Sequence, residues 1–346
     1  MSGLHACLAA VAATGILITS ALASAASASV TPAADGTVSG LTSLDAIACA
    51  MAKTCAAVGL DQNGNGKSAV INAVSGTARP WSGQLADNDL NAITCPSGTS
   101  CLAVADDAVV TVKVSTGAMQ VTARPKPPAN GIVAMGALAC AGAKNCYAVG
   151  FQGSPAAGHA LVVHLSAAGK LLSRATIAGT GISAIACPSS SRCLISDHSG
   201  TSEEIKLLNN GRLAGSHTLP AHTYIQHIAC YQASLCYALG GSSNSAQVTT
   251  DELFPLNPKS GAIGHVVKLS KLNGTDLACS SAHSCRVIGF TGSGAAAKPA
   301  VVVVSSGKPG KPAGEPGTYL NGVACATASV CYAVGAKGDK AIVDKV

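Results

Sequence analysis

Seven copies of the motif Cys-x5-Cys recur along this chain at a spacing of about 46 residues. They are Cys49/Cys55, Cys95/Cys101, Cys140/Cys146, Cys187/Cys193, Cys230/Cys236, Cys279/Cys285 and Cys325/Cys331. A period of roughly 40 to 50 residues with strand-like content is that of a β-propeller, in which each unit is one blade stacked on its neighbours around an axis. This repeat fixes more about the possible folds than any other property of the sequence.

The chain has 15 cysteines, and the one outside the repeat, Cys7, lies in the N-terminal apolar segment. Paired cysteines also build structural zinc sites, but those bring two close pairs together at C-x2-4-C spacing, whereas here each blade holds one x5 pair. Seven intrablade disulfides are therefore expected, and with them an oxidising compartment. Met1 to Ala28 carries no Lys, Arg, Asp or Glu, runs apolar from Ala6 to Leu22 and ends in small residues at Ala26-Ser27-Ala28. It reads as a secretory signal peptide, residues 1–28, followed by a single domain, residues 29–346. The alternative is an uncleaved anchor that holds the protein outside the membrane. Leu4-His5-Ala6-Cys7 is not a lipobox, because its cysteine precedes the apolar run.

Internal alignment of the copies resolves the blade. A short apolar strand precedes each first cysteine, as in Leu44–Ala48, Leu90–Thr94, Ile182–Ala186 and Leu320–Ala324. Another follows each second cysteine, as in Ala56-Ala57-Val58-Gly59, Tyr147-Ala148-Val149-Gly150 and Tyr332-Ala333-Val334-Gly335. Two short strands around a polar turn such as Pro96–Ser100 make a hairpin stapled at its turn. A β-branched third strand (Ala69–Ile71, Val109–Val112, Ala160–Val163, Pro299–Val304) and a Gly-containing turn lead to a weaker fourth. The fold class is thus all-β: a seven-bladed propeller of four-stranded antiparallel blades with one disulfide each.

The ends of the chain support the same architecture. The seventh copy stops after its third strand, and Val30-Thr31 lies as far before Cys49 as Val121-Thr122 lies before Cys140. The N-terminal segment is expected to supply the missing outer strand and close the ring. With three Phe and one Trp, cohesion must come from many small aliphatic contacts plus the disulfides.

The pattern of an apolar strand, Cys-x5-Cys and Ala-Val-Gly resembles secreted Cys-rich propeller proteins of high-GC bacteria. More distantly it is similar to propellers of BNR (sialidase-type) repeats and of photosystem II assembly factors, where a strand-ending Ala-Val-Gly recurs. The resemblance covers residues 30–346 and departs from the BNR type in lacking a Ser-x-Asp-x-Gly-x-x-Trp box. It implies a fold and leaves function to the site.

If the cysteine turns lie on one face of the disc, the loops between strands two and three, and those between blades, lie on the other, where the copies differ most. Candidate ligand-binding residues gather there. His222, Tyr224 and His227 cluster where blade 4 passes to blade 5, and His227 and Asp276 replace the small residue of Ala46, Ala92 and Ala137. Asp45 and Asn91 complete the candidate set. Asp197-His198 with Glu203-Glu204 reads as an exposed acidic loop. Asp61, Asn63 and Asn65 match the first half of a calcium loop whose closing Glu is replaced by Asn72, a weak metal candidate. Gly66-Lys67-Ser68 lacks the earlier glycine and the helix of a phosphate-binding loop. Tyr147, Tyr237 and Tyr332 occupy a repeat position and are expected to pack.

Neither Gly-x-Ser-x-Gly nor His-Glu-x-x-His occurs, so no catalytic residue is assigned and no cofactor is expected. The net charge of +6 comes with only 11% charged residues and no basic-aromatic clusters, which is not a nucleic-acid footprint. The stretch Lys298–Lys311 reads as a solvated Gly/Pro-rich loop. The sequence thus points to a secreted, monomeric, non-catalytic propeller that recognises an extracellular or cell-envelope ligand, carbohydrate or protein. The alternative is an extracellular glycoside hydrolase or lyase acting at the loop-rich face.

Overall fold

Each Cys-x5-Cys pair closes a hairpin in the computed structural model, and every sulfur bonds within its own pair at a sequence separation of 6. The structure describes residues 36–83, 85, 89–129, 131–154, 157–199, 202–243, 249–269, 271–292, 297–314 and 318–346. The expected signal peptide and Val30-Thr31 lie outside these residues.

The disulfides match the expected pairing and lie at the turn end of each hairpin, as paired positions of the ladder in five blades: Cys49 is directly opposite Cys55, Cys140 opposite Cys146, Cys230 opposite Cys236, Cys279 opposite Cys285 and Cys325 opposite Cys331. The two cysteines of a pair also differ in their surroundings. Cys49, Cys140, Cys187, Cys230, Cys279 and Cys325 on the inner strands, and Cys95 just after its strand, are half-buried. Their partners Cys55, Cys101, Cys146, Cys236, Cys285 and Cys331 are 0% exposed, and Cys193 is 1% exposed. The reason is that the second strand of each blade is flanked by the first and third and covered by adjoining blades. Cys55, Cys101, Cys146, Cys193, Cys236 and Cys285 thereby join the apolar layers of the core. Half of each staple is core packing rather than a surface clasp.

The chain is a seven-bladed β-propeller of seven four-stranded antiparallel sheets. The inner strands are Ser43–Met51, Leu90–Thr94, Ile132–Ala141, Gly181–Ser189, Thr223–Tyr231, Asn273–Ser281 and Tyr319–Cys325, for blades 1 to 7 in order. Among the described residues there is no helix, and so none long and apolar enough to cross a membrane. Closure by the N-terminal segment works as expected. Thr37–Val38 forms the outer strand of blade 7, opposite Ile342 and Ala341, so the first and last segments share one sheet. Val38 and Leu41 are buried there against Val334 and Val343. The third strand expected at Pro299–Val304 is present, and only the rest of the Lys298–Lys311 stretch departs from the loop reading. Lys298–Ser305 is the third strand of blade 6 and Lys308–Pro309 its short outer strand, extended by a bridge from Ala313 to Val301. Lysines and prolines at an outer edge are compatible with pairing on one side only, which is why their composition resembles a loop.

The core consists of apolar layers between blades. Ala56 and Val58 of blade 1 pack on Leu90, Ala103 and Val110 of blade 2, and Leu239 of blade 5 packs on Val287 and Val302 of blade 6. Two faces separated by one small-residue layer need little side-chain volume, which explains a propeller built almost without aromatics. The regular tyrosines serve this packing: Tyr147, Tyr237 and Tyr332 are buried, and the Tyr332 hydroxyl donates to the Ala73 carbonyl at 3.2 Å.

Every inner strand carries a β-bulge at the same register, two residues into its apolar segment. The extra residues are Asp45, Asn91, Gly136, Ser183, Gln226, Thr275 and Asn321. The glycine of Ala-Val-Gly sits opposite the residue before the bulge. A Cβ there would fall 2.0 Å from the Ala134 carbonyl oxygen at Gly150 and 1.9 Å from that of Tyr224 at Gly240. Five blades place glycine at this close approach, while Ala105 and Asp197 stand opposite Leu90 and Ile182 in blades 2 and 4, so the glycine accompanies the bulge in most blades without being required by it.

Candidate functional site

The bulges lie at the end of the inner strands away from the disulfides, and they turn the next residue of each strand toward the axis. Those residues are Ala46, Ala92, Ala137, Ala184, His227, Asp276 and Gly322, and all but the last line a cavity of about 210 Å³ at the centre of the ring. Two neighbouring blades break the rule of small residues. His227 Nδ1 lies 3.3 Å from Asp276 Oδ1, and the second carboxylate oxygen accepts the Val323 N–H of blade 7 at 2.8 Å. Burial raises the Asp276 pKa above its usual value, while His227 and the backbone amides of Val323 and Leu277 act against that rise. The two residues that stood out in the repeat alignment therefore meet at the channel wall, with the His227 side chain 42% exposed and able to meet a ligand. Asp45, on the same wall, accepts from Ser43 Oγ at 3.3 Å and Asn321 Nδ2 at 3.2 Å. Burial raises its pKa, those two hydrogen bonds lower it, and the charge of Asp89 adds to the rise.

The other candidates disperse. His222 is exposed on a turn with φ 64°. Tyr224 points between blades 5 and 6 and donates to Asp251 Oδ1 at 3.1 Å, while Asp251 Oδ2 accepts the Gly274 N–H at 2.5 Å. Burial, then the charge and hydrogen bond of Asp251, push the Tyr224 phenol up to about 12, so it stays a donor at neutral pH. The sequence cluster His222, Tyr224, His227 thus separates into a surface turn, a blade seam and the channel.

Asn91 shows what the bulge residues do. Its Nδ2 donates to the Met135 carbonyl of the next blade at 3.1 Å and to Asp106 Oδ1 at 2.9 Å. The same bond recurs from Ser183 Oγ to Ile225 O at 2.8 Å, from Thr275 Oγ1 to Leu320 O at 2.8 Å, and from Asn321 Nδ2 to Leu44 O at 3.2 Å. In each case the bulge side chain of one blade latches the carbonyl just before the bulge of the next. Asp45 accepts instead of donating to a carbonyl, Gly136 has no side chain, and Gln226 makes no such bond among the described residues.

The calcium candidate is a turn. Asp61 Oδ1 accepts the backbone N–H of Asn63 at 2.9 Å and of Asn65 at 3.0 Å, and Lys67 Nζ lies 3.7 Å from Oδ2. Burial works to raise the Asp61 pKa, but the Asn65 and Asn63 amides and Lys67 outweigh it and hold the carboxyl below its ordinary value. Asn65 Nδ2 also faces the carboxylate, at 3.2 Å from Oδ1. Donors rather than further oxygens converge there, and among the described residues no three His, Cys, Asp or Glu side chains assemble around a metal position. Gly66–Asn72 is a strand, with no phosphate-binding turn into a helix.

Blade 4 overturns the reading of an exposed acidic loop. Asp197 is 0% exposed, Glu203 3% and Lys206 4%. Asp197 pairs with Lys206 Nζ, which also donates to the Ala178 carbonyl, and Glu204 lies 3.7 Å from the same ammonium. Alternation along the strand sends Glu203 to the opposite face, where its Oε2 lies 3.3 Å from His198 Nδ1. Burial raises the Glu203 pKa, while His198 and the nearby Ile225 amide lower it. Glu203 and His198 line a second cavity of about 480 Å³ over blades 3 and 4, beside the channel mouth. Adjacent carboxylates in a polar stretch resemble a solvated loop. Only the sharing of a strand with Ile205 and Leu208, both buried, betrays their burial.

Comparison with known proteins matches no family model and no curated relative. Solved structures do match. A chain of the crystal structure of a mitotic checkpoint complex aligns at TM-score 0.65 and 13% identity, covering 96% of this chain and 99% of its own. Hydrazine synthase of Kuenenia stuttgartiensis aligns at TM-score 0.67 and 10% identity, over 88% of this chain and 96% of its own. The β-propeller domain of Myceliophteria thermophila Cps50 (Swd1) aligns at TM-score 0.63 and 11% identity, over 90% and 99%. The likeness is one of fold. At such identities it speaks for the scaffold and not for function.

Proposed function

We propose that this chain is a secreted propeller, residues 29–346 after removal of a signal peptide, that binds an extracellular or cell-envelope ligand on its bulge-bearing face without transforming it. One observation carries this reading. The disulfide face repeats one hairpin seven times, whereas the opposite face surrounds two adjoining cavities with residues that differ from blade to blade. Seven disulfides suit an oxidising exterior. A rigid ring with variable residues at one mouth suits recognition, and pockets of a few hundred Å³ suit one or two side chains or sugar units. Its kin under this reading are the secreted Cys-rich propellers, with the BNR and photosystem II assembly types more remote. It works as a monomer, without nucleic acid and without a cofactor.

The His227–Asp276 contact favours a second reading, an extracellular glycoside hydrolase or lyase, because an imidazole beside a carboxylate of raised pKa can move protons. One experiment separates the two. Purified protein is screened against wall polysaccharides and peptidoglycan fragments, with both retention and product release measured. Retention without product, lost in the His227→Ala/Asp276→Ala double variant, is the expected result. The variant should keep its circular dichroism spectrum, since Ala or Gly occupies this position in the other five blades. Product release would establish the enzyme, and no retention by the wild type would reduce the protein to a structural module.

A further inference from the structure

The cavity over blades 3 and 4 lies where the ring of latches is interrupted. Gly136 offers nothing to the Ile182 carbonyl of blade 4, and a Cβ built on Gly136 would meet nothing within 4 Å. The space that Asn91, Ser183, Thr275 and Asn321 fill at their own seams is open here. Around this opening stand acceptors: the Ile182 carbonyl, the Asp106 carboxylate and Glu203. Glu203 is 3% exposed: His198 faces its Oε2 and the Ile225 amide lies close to the carboxyl, while its Oε1 is buried without a well-aligned hydrogen bond. A buried carboxylate oxygen left unpaired is costly, and that cost is recovered when a donor arrives. Among the described residues no Lys or Arg lines the cavity, although the whole chain carries a net charge of +6. Beside the acceptors, Ala134 and Phe151, both partly exposed, contribute an apolar wall.

Acceptors beside an apolar wall fit a long aliphatic stem that ends in a cation. We propose that this cleft binds an arginine or lysine side chain of an extracellular basic peptide, its cationic head donating to Glu203 and to the Ile182 carbonyl and its stem lying along Ala134 and Phe151. An amino sugar offers the same ammonium, but its ring hydroxyls would stand unpaired against the apolar wall. The proposal rests on reading the bulge face as the recognition face, and it assigns that face a ligand class.

The test is calorimetric titration of the full secreted protein with N-acetyl-arginine amide, N-acetyl-lysine amide, the neutral citrulline analogue and glucosamine. The two basic probes should bind, and the citrulline analogue should bind at least about thirtyfold more weakly, the usual consequence of removing one charge from a buried pair. Glu203→Gln should weaken the basic probes by a similar factor. Gly136→Asn, which builds the missing latch into open space, should abolish binding while the melting temperature holds or rises. Arginine and citrulline probes of equal affinity, glucosamine as the tightest ligand, or Gly136→Asn binding like wild type would each overturn the assignment. So would a wild type that binds neither basic probe. If that protein still retains envelope material, the recognition face stands and only its ligand class falls.

Discussion

The two ends of the same seven inner strands follow opposite rules. At one end each strand carries a cysteine bonded across the hairpin, with Ala or Thr before it in every copy. At the other, the bulge residue is in turn Asp45, Asn91, Gly136, Ser183, Gln226, Thr275 and Asn321, no two alike in blades that touch. The cross-linked end is fixed by a covalent bond within each hairpin, although the second cysteine of the pair also packs against adjoining blades. The bulged end is held by side chains that reach the next blade, so each seam can be altered alone. Rigidity at one end is what permits diversity at the other.

The comparison can be broken most severely at the ring closure, which both ends depend on. Removing residues 36–42 takes away the outer strand of blade 7 with Val38 and Leu41 and exposes a sheet edge. It should lower the thermal midpoint more than any single side-chain replacement and broaden the transition. A deletion of residues 308–314 also removes an outer strand, that of blade 6, but leaves the seam between the first and last blades intact. The first deletion should remain the more damaging, and equal midpoints would show that the closure strand carries no special weight.

Replacing Cys140 and Cys146 together by Ala opens one staple. A loop this short contributes about 2 kcal/mol in the chain-entropy model, so urea unfolding should report a loss of that order, nearly equal in whichever blade is chosen. A strong dependence on blade would mean that the stapled end is less uniform than its sequence.

At the bulged end the effects should be smaller and unequal. Asn321→Ala removes a latch that spans 277 residues of sequence, at about 1 kcal/mol for a neutral hydrogen bond. Gln226→Ala, which removes no such bond, should cost nothing measurable. Equal losses for the two would dismiss the latch.

Glu203→Gln should give a small change, and one with a sign. A carboxyl whose folded pKa is raised favours the folded state most below its ordinary value of 4.5, and that contribution disappears as pH rises through the folded value. The wild type should therefore lose stability relative to Glu203→Gln as pH climbs from below about 4.5 toward neutrality, leaving the variant equal or slightly more stable there. Asp45, Asp197 and Asp276 are raised in the same direction, so the difference between the two proteins is the quantity to follow. A difference curve flat with pH would mean that Glu203 is not penalised by burial. A site that is stabilised by losing its charge yet binds less tightly would show the usual trade between function and stability.

Much of the site was legible because repeats act as their own reference. His227 and Asp276 stood out against Ala46, Ala92 and Ala137, and the fold brought them to 3.3 Å. The bulges left a trace too, since the glycine of Ala-Val-Gly marks where a Cβ would strike the opposite carbonyl. That trace is visible only once the cause of the glycine is known. Blade 4 gave little warning: beyond a strand shared with Ile205 and Leu208, Asp197, Glu203 and Lys206 have surface composition, and their burial follows from the packing of adjoining blades.

Sequence alone determined what repeats and what is local: seven units, four strands in each, a cysteine bridge within each hairpin and a strand from the N-terminal segment to complete the last blade. These follow from periodicity and from contacts between residues close along the chain. The tertiary structure decided what happens between units: which carbonyl each bulge side chain reaches, which carboxylates are shut between blades, and where a missing side chain at Gly136 leaves a cavity open. Such contacts join different copies of the repeat, and the period that reveals a blade says nothing about how one blade's side chains meet the next.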